Sequence, residues 1–140
     1  MRMHICFDTN VILDMLLQRA PHAEAANLLF AALEDQRLHG IVCATSVTTA
    51  SYFVDKTYGF QRVHQDVRDL LRLFRVATVN RSVLEEAVSI GFTDFEDAVL
   101  HEAAQQADAE GIVTRNARDF TAATLDIYTP TELLDAVRGA

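Results

Sequence analysis

The sequence predicts an α/β fold, a three-layer α/β/α arrangement around a central, mostly parallel sheet of about five strands. Three observations predict it. Short apolar segments of strand type recur along the chain, stretches with apolar residues three and four apart separate them, and a glycine stands at two of the helix-to-strand joins. Strands alternating with helices form βα units, whose parallel sheet carries helices on both faces. The chain has 140 residues, which fits one domain spanning 1–140. A domain of that size buries roughly 68–70% of its unfolded surface, so its core needs no disulfide or metal staple.

The elements follow in order. Ile5–Phe7 is the first strand, Asp8 follows it directly, and a helical pattern starts near Asn10. Pro21 suits the first turn of the second helix, whose apolar face is Ala25, Leu28, Leu29, Ala32 and Leu33. Gly40 is the expected C-cap before the strand Ile41–Ala44. The segment Thr45–Phe53 belongs to the next helix, and Val63, Val67, Leu70, Leu71 and Phe74 line the one after it. A strand at Arg75–Val79 comes next, then helical faces at Val83, Leu84, Ala87 and Val88, and at Phe95, Ala98, Val99 and Ala103. Gly111 is a second expected C-cap, before the strand Ile112–Thr114. Leu125–Tyr128 is the fifth strand. Thr129-Pro130-Thr131-Glu132 then opens a last helix with an N-cap threonine, a proline in the first turn and a capping glutamate.

Composition removes several classes of function. An apolar fraction of 50% and a charged fraction of 23% exclude wholesale disorder. No apolar run approaches the ~18 residues of a membrane span. The N-terminus runs straight into a strand and does not resemble a signal peptide. Cys6 and Cys43 lie far apart in apolar strand segments, which reads as buried thiols in a reducing cytoplasm. A catalytic or metal-binding pair is the alternative reading. With 12 basic and 20 acidic side chains the net charge is −8. That charge argues against holding nucleic acid by bulk electrostatics. It leaves room for carboxylates that hold a cation and meet phosphate through it.

Open parallel sheets bind ligands beyond the carboxyl ends of their strands. Asp8 stands there after the first strand, and Asp119 stands on the loop after Ile112–Thr114. Asp94 and Asp97, three apart, open the helix before that strand and share a face with His101. Thr93 and Glu96 have the spacing of a capping box, and acids in a first helical turn also complement the helix dipole, so each acid has an ordinary structural reading. Jointly, acids at one edge repel unless something positive neutralises them. Arg115 and Arg118 lie nearby and are candidates for contacting substrate phosphate. A divalent cation is the sharper reading. The donors are oxygens, which suits Mg²⁺ or Mn²⁺ and does not suit Zn²⁺. Such an ion offsets charge on a phosphodiester and its leaving oxygen.

Three motifs in order carry a resemblance. Asp8-Thr9-Asn10-Val11-Ile12-Leu13-Asp14 after a short strand, Asp94-Phe95-Glu96-Asp97-Ala98, and Thr114-Arg115-Asn116-Ala117-Arg118-Asp119-Phe120 resemble the first, third and fourth motifs of PIN-domain nucleases. The resemblance covers essentially the whole chain. It implies a Mg²⁺- or Mn²⁺-dependent endoribonuclease of VapC type, the toxin of a type II toxin–antitoxin pair. An antitoxin protein and RNA are then the partners, a homodimer is possible, and the location is cytoplasmic. It further implies Asp8, Asp97 and Asp119 as metal ligands, with Asp94 binding directly or through water. Thr9 and Asn10 would orient Asp8, and Asn116 stands where many relatives carry another acid. One departure is plain: the family's second motif carries a glutamate, and Thr45–Phe53 contains no acid. Thr49 or Ser46 there suits a bound water better than a direct metal bond.

Two other functional classes stay open. Loss of the second-motif acid fits a catalytically degenerate module acting through protein or RNA contacts. A strand-end Asp8 also fits a phosphohydrolase nucleophile, although Asn10 replaces the second acid of an Asp-x-Asp pair. Elsewhere, His64, Arg68, Arg72 and Arg75 flank a helix as a solvated edge or as contacts for phosphate or an acidic partner. Tyr52, Phe53, Tyr58 and Phe60 read as core or interface packing, with base stacking as the alternative. His101 reads as a helix residue near the site and not as a ligand.

Overall fold

The computed structural model describes residues 2–139. Met1 and Ala140, the ends of the expected single domain, lie outside the described residues. Five strands form one sheet: β1 (His4–Phe7), β2 (His39–Cys43), β3 (Phe74–Ala77), β4 (Gly111–Val113) and β5 (Asp126–Tyr128). All four pairings are parallel, in the order β3-β2-β1-β4-β5. The helices are α1 (Thr9–Leu16), α2 (Ala23–Glu34), α3 (Ala44–Tyr58), α4 (Phe60–Leu73), α5 (Arg81–Ser89), α6 (Phe95–Gln106) and α7 (Pro130–Arg138), and a 3-10 turn covers Ala117–Phe120.

The pleat divides the strand side chains between two cores. Ile5, Phe7, Val42 and Val113 face α1, α2, α3, α4 and α7, where Ile12, Leu29, Leu70 and Leu133 are fully buried. Cys6, Ile41, Cys43 and Ile112 face α5 and α6, where Val83, Ala98 and Ala103 close the second core. Alternation with period two therefore builds the three layers. Each fully buried Leu or Ile contributes roughly 1.5–3 kcal/mol. Both cysteines are buried and unpaired, and burial pushes the Cys6 thiol well above its ordinary range, as expected for an inert thiol.

Several local expectations change. Gly40 and Gly111 are strand residues and not helix caps. A Cβ on Gly40 would stand 2.6 Å from the Phe74 ring and 2.9 Å from Leu33, and one on Gly111 would stand 2.7 Å from the Asp126 carbonyl. The space at Gly40 admits Phe74 to a trio with Phe7 and Phe30, with ring centroids 5.1–6.0 Å apart. Left-handed residues follow α1, α2 and α6: Gln18, Gln36 and Asp108. In each case the next N–H reaches back five residues: Arg19 to Asp14, Arg37 to Ala32, and Ala109 to Ala104. Pro21 precedes α2, whose N-cap is His22.

Much of each predicted apolar stripe is buried, and isolated members of it are exposed. In α2 the buried face is Ala26, Leu29, Phe30, Ala32 and Leu33, and Leu28 is exposed. Leu71, Leu84, Val88 and Phe95 face outward, as do Tyr52, Phe53, Tyr58 and Phe60. Tyr52 and Tyr58 lie beneath the cations of Lys56 and Arg62, not in the core. The α7 capping box forms as predicted, with Thr129 Oγ1 accepting from the Glu132 N–H at 3.2 Å. No helix among the described residues is long and apolar enough to cross a membrane.

Candidate active site

The strand order reverses direction at β1 and β4, since β2 and β3 lie to one side and β5 to the other. That is the switch point of an open α/β sheet, where the loops part and leave a crevice. A cleft of about 670 Å³ opens there, lined among others by Asp8, Asn10, Ser46, Thr49, Asp97 and Asn116. Phe53, Leu84 and Phe95 give it an apolar wall.

Asp8 is both the N-cap of α1 and the floor of the cleft. Its Oδ1 accepts the Thr9 N–H at 2.7 Å and its Oδ2 accepts the Thr114 hydroxyl at 2.8 Å. The two bonds fix the carboxylate, and its backbone N–H is tied to the Val113 carbonyl at 2.9 Å. Thr9 Oγ1 donates to Ser46 Oγ at 2.8 Å, joining α1 to α3. Asn10 spans to the loop after β4: its Nδ2 donates to Thr114 Oγ1 at 3.4 Å and its Oδ1 accepts the Arg115 N–H at 3.4 Å. The Asn116 N–H also donates to Thr114 Oγ1, at 3.0 Å. Thr114 is thus the hub that holds the β1 and β4 ends together.

The N-cap of α6 is Asp94, not Thr93, so the Thr93–Glu96 capping box does not form. Asp94 Oδ1 accepts the Asp97 N–H at 3.1 Å. The reason is position: the helix begins one residue later than the box spacing requires, and Asp is as good a cap as Thr.

The electrostatics are those of crowded acids. Desolvation raises the Asp8 pKa, the Thr114 and Thr9 hydrogen bonds lower it, and the Asp119 and Asp94 charges raise it again. Asp97 is pushed up to about 7, by desolvation first and then by the charges of Asp8, Asp94, Asp119 and Glu96. Asp94 and Asp119 are therefore within electrostatic reach of both Asp8 and Asp97. Only Asp8 and Asp97 line the cleft; Asp94 and Asp119 act on them from its exposed rim.

Donor chemistry decides which cation this suits. The groups converging on the cleft are carboxylate, amide and hydroxyl oxygens, which fit a hard divalent ion. Among the described residues no three His, Cys, Asp or Glu side chains are drawn together as a ligand cage. Mg²⁺ needs no such cage, since it keeps several waters and takes one or two carboxylates plus substrate phosphate. Asp8 and Asp97 are the two of the four predicted aspartates that line the cleft.

The PIN-domain family model matches residues 4–118, most of the chain. The chain belongs to the PIN-domain family. Solved structures share its fold. A toxin–antitoxin complex from Klebsiella pneumoniae has a TM-score of 0.68 at 23% identity, covering 90% of this chain and 97% of that one. VapBC2 from Rickettsia felis, bound to a promoter DNA fragment, has 0.68 at 12% identity, covering 91% and 98%. VapC20 from Mycobacterium tuberculosis, described as a sarcin–ricin loop cleaving toxin, has 0.62 at 14% identity, covering 77% and 86%. No curated protein matches the chain in sequence.

The remaining predicted residues of this PIN domain fall into place unevenly. Thr49 lines the cleft beside Ser46, and no acid stands on that wall between Thr45 and Phe53. Arg115 lines it too, but its guanidinium grips Asp14, with Nε at 2.6 Å from Oδ2. Arg118 is exposed on the 3-10 turn and is not part of the lining. His101 is buried away from the cleft. Its Nε2 accepts the Thr124 and Leu125 N–H groups at 3.1 and 3.4 Å. The proton therefore sits on Nδ1 and goes to Glu102, 2.7 Å away. His101 pins the loop before β5 and lies tilted against the Phe92 ring, a structural task.

Asp14 and Arg19 were not singled out by the sequence. Arg19 Nε lies 2.9 Å from Asp14 Oδ1, and Arg19 also lines the cleft. The only sequence signal for Asp14 was an acid among the apolar residues of the first motif.

Proposed function

We propose that this PIN domain is a Mg²⁺- or Mn²⁺-dependent endoribonuclease, acting as one unit over the whole chain, and the cytoplasmic toxin of a type II toxin–antitoxin pair. The observation that carries this reading is the pair Asp8 and Asp97 in the cleft at the switch point of the sheet, with the charges of Asp94 and Asp119 near enough to raise the pKa of both. PIN domains are generally nucleases that use divalent metals. Toxin–antitoxin complexes among the structural neighbours support a protein partner, and the RNA-cleaving neighbour supports RNA as substrate.

When bound, the ion supplies positive charge against the phosphodiester and lowers the cost of activating water. Asp8 and Asp97 would hold it, with Asp94 and Asp119 adding negative charge from the rim. Thr9 and Thr114 keep Asp8 in one rotamer, with lone pairs of both carboxylate oxygens directed away from their hydrogen bonds. Asn10 keeps the Thr114–Asn116 loop against α1, so that Asn116 faces the cleft. Thr49 and Ser46 offer hydroxyls where the family's second acid would stand. Arg115 presents its free N–H groups to substrate phosphate. Phe53 and Phe95 offer faces for unpaired bases.

A second reading rests on the absence of an acid between Thr45 and Phe53: a degenerate module that binds RNA or protein without cutting. Incubation of the full chain with single-stranded RNA and Mn²⁺ separates the two. Cleavage that EDTA abolishes is expected. Intact RNA, together with no saturable Mn²⁺ binding by calorimetry at millimolar metal, would establish the degenerate module.

A further inference from the structure

The least solvent-exposed carboxylate of the first motif lies outside the acidic cluster. Asp14 is 1% exposed, yet it carries two guanidiniums. Arg115 meets it through Nε at 2.6 Å and Nη2 at 3.3 Å. Arg19 meets it through Nε at 2.9 Å and donates a further N–H to the Asn10 carbonyl at 3.2 Å. A buried charge must be paired, and a single arginine would neutralise it. The second arginine leaves the triad with a net positive charge.

That surplus is directed. A guanidinium has five N–H donors in a fixed plane. Each of these two spends two donors inside the protein and keeps three. Both side chains remain part-exposed, at 38% and 26%, and both line the cleft that holds Asp8 and Asp97. Held by their inner edges, they lose little further rotamer entropy when an anion arrives.

We propose that Asp14 is a positioning residue that holds Arg19 and Arg115 as a paired phosphate subsite. The subsite takes a backbone phosphate of single-stranded RNA neighbouring the one over the aspartates; this rests on the ribonuclease reading. It gives an acidic cleft a second, permanent means of holding a polyanion. It adds Arg19 to the candidate phosphate contacts.

The test is binding of a fluorescent single-stranded RNA to the full chain, with Ca²⁺ replacing Mg²⁺ to slow cleavage. Affinity is read against salt, and KM and kcat are read separately with Mn²⁺. Arg19→Gln is expected to weaken binding and raise KM about 10-fold, with a much smaller change in kcat. The slope of log affinity against log salt falls by about 0.7, one phosphate contact on a single strand. Arg19→Lys restores the slope without restoring full affinity. Asp14→Asn keeps both positive charges, so it keeps the slope while weakening affinity; a purely structural Asp14 would change melting alone. Unchanged affinity and slope in both Arg19→Gln and Arg115→Gln would overturn the subsite. If the parent binds RNA but never cuts it, the nuclease reading fails while the slopes still decide the subsite. A parent that binds no RNA overturns both.

Discussion

Asp14 and Asp97 are aspartates on helices that flank the same edge of the sheet, and their surroundings are opposite. Asp14 is almost wholly buried but is met by two arginines. Asp97 is only half-buried, yet the charges that act on it are all negative, and its pKa is pushed up to about 7. The comparison teaches that burial alone does not mark a functional acid. A paired acid has its countercharge within the chain, whereas a crowd of unpaired acids asks for something the chain does not contain.

The largest expected effect separates the two by activity. Asp97→Asn, or Asp8→Asn, is expected to lower Mn²⁺-dependent RNA cleavage by on the order of 100-fold or more, since on the proposed reading each removes a metal donor. Asp14→Asn is expected to lower it far less. Equal losses measured under single-turnover conditions would break the distinction.

Stability gives the converse ordering. Asp14→Ala strands two guanidiniums and is expected to cost roughly 2 kcal/mol, below the ~3–5 of a fully buried pair because both arginines reach water. For a chain this long that lowers Tm by about 5–10 °C. Asp97→Ala is expected to cost little in metal-free buffer, or to stabilise. Urea melts of both variants check this.

The smallest effect sharpens the comparison by pH. A carboxyl whose folded pKa is raised binds more protons folded than unfolded, so its contribution to stability falls as pH rises. For Asp97 the window runs from its ordinary value of 3.8 to about 7. In EDTA, Asp97→Asn is therefore expected to melt a few degrees above the parent at pH 8, and the gap should close by pH 4. A gap that widens on acidification would show that Asp97 has a positive partner.

The strands and the acids at their ends were legible because they rest on local pattern. Ile5–Phe7, Ile112–Val113 and the Asp8 and Asp119 that follow them are set by period-two burial and by chain order. The helix faces were less legible. Leu84 and Phe95 look like core residues in a spacing count, but they border an opening that only the assembled layers create. The glycines misled for a related reason. Gly40 looks like a cap beside a helix, whereas its role is to leave room for Phe74, a residue 34 positions away.

By itself, then, the sequence determined the α/β class, the order of the strands along the chain, and which aspartates stand at strand and helix ends. Local residue patterns carry those facts, because periodicity and capping act within a few residues. Tertiary structure alone decided which charges meet. Arg115 lies 101 residues from Asp14 and Arg19 only five, yet both share one carboxylate. His101 faces a loop more than 20 residues on and not the cleft. Coulombic pairing and desolvation depend on distance in space and on what excludes water, and neither is written in the spacing of a chain.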